Sequence, residues 1–104
     1  MATLIVGVIA WLITLAMAWI QRKDKIQAEE QGDVIVAHLK DSVKMAREFA
    51  VFVPKASPAV EAWAKVVEDI EKGWNDKAVT TAQLLEVKKK GEQLIVEILA
   101  LVRA

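Results

Sequence analysis

Residues Ala2 to Ile20 read ATLIVGVIAWLITLAMAWI and carry no charged side chain. Their only polar side-chain groups are the hydroxyls of Thr3 and Thr14 and the indole N–H groups of Trp11 and Trp19. At about 1.5 Å rise per residue these residues form a helix of roughly 28 Å, close to the ~30 Å hydrocarbon core of a bilayer. A helix satisfies its own backbone, which a single segment must do in lipid. The stretch therefore predicts a transmembrane helix. The alternative, a buried core helix, leaves too little of a 104-residue chain to cover a helix that is apolar all round. A cleaved signal peptide is suggested by Ala16-Met17-Ala18. Against it, no Lys or Arg precedes the apolar run and the basic cluster follows it, so the segment reads as an anchor.

The flanks predict orientation. Gln21-Arg22-Lys23-Asp24-Lys25 places three basic residues directly after the span. Basic residues stay on the cytoplasmic side, so the N-terminus should face out and the rest of the chain the cytoplasm. Trp19, Arg22, Lys23 and Lys25 are the expected membrane-interface residues. Trp11, near mid-span, needs a contact with a neighbouring helix.

Thr3, Gly7, Ala10, Thr14 and Met17 recur at spacings of 4, 3, 4 and 3. Such a seam of mostly small residues lets a second helix approach closely in lipid, where packing rather than the hydrophobic effect drives association. Self-association is expected along this face.

The division expected is a membrane helix with a juxtamembrane extension at 1–31 and a cytoplasmic-side helical domain at 32–104. Residues from Gln21 onward carry all 14 basic and all 14 acidic residues. Zero net charge argues against a nucleic-acid footprint. The absence of Cys excludes disulfides, thiolate metal ligation and a thiol nucleophile. No cofactor or metal site is expected. Two Pro, four Gly and β-branched residues at helical spacing point to an all-α chain.

Gln21 to Gln31 should continue the first helix. Gly32 offers a stop and Asp33 an N-cap. A second helix is predicted from about Val34 to Val53, with a stripe of Val36, Leu39, Val43, Ala46, Ala50 and Val53 broadened by Ile35 and Phe49. Pro54 ends it, because the residue before proline is pushed away from helical geometry. Ser57 is the expected N-cap of a third helix, with Pro58 in its first turn. That helix runs to about Lys72 with Val60, Trp63, Val67, Ile70 and Trp74 on one side, and Gly73 closes it. The fourth begins near Thr80, which forms a capping box with Gln83. Its stripe is Leu84, Val87, Gly91, Leu94, Ile98 and Leu101, and Gly91 would admit a close helix crossing.

Three such helices with short loops predict a small helical bundle with antiparallel neighbours, or else helices lying along the membrane. Helix four carries surplus apolar surface. Leu94, Ile95, Ile98, Leu99, Leu101 and Val102 are the expected contact with a partner, another copy or a membrane.

Three constellations bear on chemistry. His38, Asp41 and Ser42 share part of one helix face. A regular helix supplies no oxyanion donors and its side chains diverge, so a catalytic triad is not expected. Glu68, Asp69 and Glu71 lack the loop spacing of a cation site and read as a solvated face. Lys88-Lys89-Lys90 reads the same way, with contact to anionic headgroups as the alternative.

A short uncharged N-terminus, one span and a helical cytoplasmic domain resemble small membrane proteins of bacteriophages. Two families share this layout. In tailless phages with an internal membrane, single-span structural proteins fasten the vesicle to the capsid. Single-span holins oligomerise and breach the inner membrane, and many end in a strongly basic tail, whereas this chain ends Ala100-Leu101-Val102-Arg103-Ala104. The resemblance implies a non-enzymatic, membrane-anchored assembly protein that self-associates and links a bilayer to a capsid or other protein complex. A holin-type pore former and an accessory subunit of a cellular membrane complex are the alternatives.

Overall fold

The computed structural model describes residues 2–22, 31–76 and 78–103. It contains α1 (Ala2–Gln21), α2 (Gln31–Phe52), a 3-10 turn (Pro54–Ala56), α3 (Ser57–Asn75) and α4 (Thr81–Arg103). Among the described residues there is no strand. The all-α reading holds, and α1 is long and apolar enough to cross a membrane.

α1 ends where Arg22 N–H reaches back to the Ala18 and Trp19 carbonyls at 3.0 and 3.1 Å. The expected continuation through Gln31 falls mostly on residues 23–30, outside the described residues. α2 begins at Gln31, earlier than predicted, so Gly32 and Asp33 lie inside its first turn. Asp33 is therefore not an N-cap; its carboxylate instead accepts from the Trp74 indole N–H.

Pro54 stops α2 as expected, and Val53 before it leaves helical geometry at φ −130° and ψ 80°. The chain then makes a single 3-10 turn, closed by Ala56 N–H on the Val53 carbonyl at 3.0 Å. Ser57 is the first residue of α3, not its cap; Ala56 occupies that position and makes no side-chain cap bond. α3 runs three residues beyond Lys72, through Gly73 and Trp74 to Asn75. The reason is burial: Trp74 belongs to the core at 3% exposure, and the helix must continue to seat it. The capping box before α4 forms as predicted. Thr80 N–H donates to Gln83 Oε1 at 2.9 Å, and Gln83 N–H to Thr80 Oγ1 at 3.1 Å.

Short connections make α2, α3 and α4 alternate in direction. The bundle expected beyond the span has three helices, but among the described residues the bundle has four, with α1 as the added member. α1 packs on α2 and α4, and α3 packs on the same two from the opposite side. The result is an up-and-down rod of 44 × 20 × 20 Å. Its axis is filled by Ile5, Ile9, Leu12 and Trp19 of α1, Leu39 and Phe49 of α2, Val60, Trp63 and Ile70 of α3, and Leu84, Val87, Leu94 and Ile98 of α4. Indoles bridge the diagonal between α1 and α3: Trp19 meets Trp74 edge-on, ring centroids 5.5 Å apart and planes at 85°.

Candidate membrane helix and contact surfaces

α1 has two faces of opposite character in packing but not in polarity. Ile5, Ile9, Leu12, Ala16 and Trp19 point into the bundle, none more than 3% exposed. Their spacing of 4, 3, 4 and 3 repeats that of the small-residue seam, displaced by two residues. At roughly 100° per residue the two stripes lie on opposite sides of the helix. Thr3, Gly7, Ala10 and Thr14 are accordingly exposed, and Met17 is half-buried. The Thr14 hydroxyl donates to the Ala10 carbonyl at 3.1 Å, so the seam's hydroxyl at that point is satisfied within the helix. A Cβ on Gly7 would meet nothing within 4 Å.

This outward face carries no charge along its length. The outward faces of the other helices do: Lys44 and Glu48 on α2, Glu61 and Asp69 on α3, Lys89 and Glu97 on α4 are all exposed. Leu4 and Trp11 add exposed apolar surface to α1 at 62% and 47%.

The expected interface residues separate. Arg22 is exposed at the end of α1, while Lys23 and Lys25 lie outside the described residues. Trp19 is not at the surface: it is fully buried, and its indole N–H has no hydrogen-bond partner among the described residues. Trp11 does meet a neighbouring helix, packing edge-on against His38 of α2 at 4.9 Å between centroids.

The apolar end of α4 divides between core and surface. Leu94 and Ile98 are fully buried in the bundle, and Ile95 and Leu101 are half-buried against it. They are committed to the chain's own fold. Leu99 and Val102 remain outside at 38% and 58%, joined by Val96 at 64%. The antiparallel order brings this end of α4 to the end of the rod that holds Val51 and Phe52, which are 76% and 75% exposed.

Gly91 admits the close crossing expected of it. A Cβ there would lie 2.9 Å from Ile13 Cδ1, 3.0 Å from Ile13 Cγ1 and 3.2 Å from Trp63 Cζ3. The glycine is thus the notch in α4 that receives Ile13 of α1.

His38, Asp41 and Ser42 do not converge. His38 lies on Trp11 and Asp41 is exposed. Ser42 is buried; its hydroxyl donates to the Leu39 carbonyl at 2.6 Å and accepts from Trp63 Nε1 at 2.9 Å. The three acidic residues of α3 also separate. Glu68 and Glu71 edge a groove of about 510 Å³ between α2 and α3, floored by Val43, Ala64 and Val67, whereas Asp69 faces α4. Lys40 pairs with Glu71 at 3.3 Å and Arg47 with Glu61 at 3.4 Å across the α2–α3 seam. These pairs are exposed and contribute little to stability. Lys88 pairs with Glu92 at 3.3 Å, and Lys89 and Lys90 point to different grooves. Among the described residues no group of three or more His, Asp or Glu is placed to hold a metal.

The Trp63–Ser42 bond and the docking of α1 are the features that sequence reasoning did not reach. The second had a signal: Ile5, Ile9, Leu12, Ala16 and Trp19 are the bulkier stripe of α1 and repeat at bundle spacing.

The fold and its surfaces define a class, a four-helix bundle in which one helix has the length and apolarity of a membrane span. No family model, no curated protein and no solved structure matches the chain.

Proposed function

We propose that this chain is a non-enzymatic, membrane-anchored assembly protein. The observation that carries the reading is the outward face of α1, which is uncharged from end to end although it points away from the bundle. A helix meant only for a water-soluble bundle would carry charges there, as α2, α3 and α4 do. In this reading α1 crosses a bilayer with Arg22, Lys23 and Lys25 on the cytoplasmic side. The helical domain stays on that side. Copies associate through Thr3, Gly7, Ala10, Thr14 and Met17, and the exposed apolar residues Val96, Leu99 and Val102 meet a protein layer such as a viral capsid or a membrane complex.

The test begins with expression in bacteria and fractionation. The protein should remain in membranes after alkaline carbonate extraction, and a reporter fused after Ala104 should be active only in its cytoplasmic form. Crosslinking should capture oligomers that Gly7→Leu or Ala10→Leu weakens. Extraction by carbonate would overturn the anchor, and a periplasmic reporter signal the orientation. Growth arrest with loss of membrane potential would replace assembly by a holin-type pore.

A further inference from the structure

We infer that α1 exchanges between two seats, a docked seat in the bundle and a transmembrane seat in lipid, and that the Gly91 notch is the latch holding the docked one. The inference rests on the membrane reading above and specifies what that reading requires of the fold. One helix is at once long and apolar enough to cross a bilayer and packed by its bulkier stripe into a bundle whose other members are charged on their outer faces. It cannot do both at once, because a bilayer around α1 would also surround the charges of α2 and α4 beside it.

Three contacts define the docked seat: Trp11 on His38, Ile13 in the notch at Gly91, and Trp19 on Trp74. Docking covers the inward stripe, which gives the chain a water-compatible form. It leaves two groups poorly placed. The uncharged outer face, with Leu4 and Trp11, stays in water. The Trp19 indole N–H is buried with no partner among the described residues. The transmembrane seat reverses both. Lipid covers the whole helix, and Trp19, three residues before Arg22, comes to the membrane–water interface, where an indole keeps its ring in lipid and its N–H in water. What insertion gives up is packing against α2, α3 and α4. The available lipid surface therefore sets the balance between the two seats.

The experiment exploits the absence of cysteine. A Cβ on Gly91 would lie 3.0 Å from Ile13 Cγ1, one bond from Ile13 Cβ, which brings the two Cβ atoms near the ~3.5–4.5 Å of a disulfide. The full chain carrying Ile13→Cys and Gly91→Cys is oxidised without lipid. It is then mixed with vesicles of phosphatidylcholine and phosphatidylglycerol, some with brominated acyl chains. The reduced pair should float with the vesicles and show tryptophan quenching; the oxidised pair should lose both. Equal flotation of the two forms overturns the exchange and leaves the membrane reading standing. Flotation of neither overturns both. Failure of the lipid-free protein to crosslink overturns the docked seat.

Gly91→Leu tests the latch from the other side. Its side chain would occupy the space of Ile13, so the floating fraction should rise above that of the wild type with helical content by circular dichroism retained. Unchanged flotation of a folded Gly91→Leu protein overturns the role given to the notch.

Discussion

The indole of Trp63 on α3 donates to the hydroxyl of Ser42 on α2 at 2.9 Å, and both side chains are buried. Ser42 is the one buried polar residue among the described core positions, and it supplies the acceptor that a buried indole needs. Ser42→Ala leaves the Trp63 N–H without this acceptor, which costs about 1–3 kcal/mol. Urea unfolding should show that loss with unchanged helix content. Trp63→Phe combined with Ser42→Ala should cost less than the sum of the two single changes, since the second removes a group the first has already orphaned. Strict additivity would mean that the bond contributes nothing.

The capping box at α4 predicts a local effect. Thr80→Ala removes the acceptor for Gln83 N–H and should destabilise by about 0.5–2 kcal/mol. Thr80→Ser keeps the hydroxyl and should stay within a few tenths of a kcal/mol of the wild type. Thermal unfolding of the two variants side by side checks the pair.

Two glycines in helices should respond oppositely to the same change. A Cβ on Gly32 would overlap the Trp74 indole ring, whereas one on Gly7 meets nothing within 4 Å. Gly32→Ala should cost about 1–3 kcal/mol through overpacking and disturb the near-ultraviolet signal of the Trp19–Trp74 pair. Gly7→Ala should be neutral or stabilising by roughly 0.5–1 kcal/mol, because alanine is the better helix former. Both are read from denaturant midpoints on lipid-free protein.

Helix α4 offers a contrast between core and surface. Leu94 is fully buried and Leu99 is 38% exposed. Leu94→Lys buries an unpaired charge and should unfold the bundle. Leu99→Lys should lose less than about 1 kcal/mol of its hydrophobic contribution, since much of the side chain is already in water, and should insert in membranes normally. Under the assembly role proposed above, it should nonetheless fail to join the complex. Wild-type incorporation of Leu99→Lys would count against the proposed docking surface, with Val51 and Phe52 next to be tested.

Much of the bundle was legible because its causes are local. Pro54 forbids continuation of a helix, Thr80 and Gln83 satisfy each other's backbone donors three residues apart, and the stripe Leu84, Val87, Gly91, Leu94 and Ile98 follows from the helical period alone. Boundaries set by distant partners were not legible. α2 begins at Gln31, where Gly32 gives room to Trp74 and Asp33 accepts its indole N–H, and α3 runs past Gly73 to seat that same tryptophan.

The sequence by itself determined that α1 is a helix apolar on every side, since an unbroken run without charge leaves no polar face however the helix is turned. Its polarity could not say which face meets protein, because every face of such a helix can be buried; only the bulk of the Ile5, Ile9, Leu12, Ala16 and Trp19 stripe hinted at it. Tertiary structure decided that. Ile13 finds the notch at Gly91 and Trp19 finds Trp74, partners that lie 78 and 55 residues away in the chain. Shape complementarity between bulky and absent side chains, not polarity, selects the inward stripe, and the small residues are left outside.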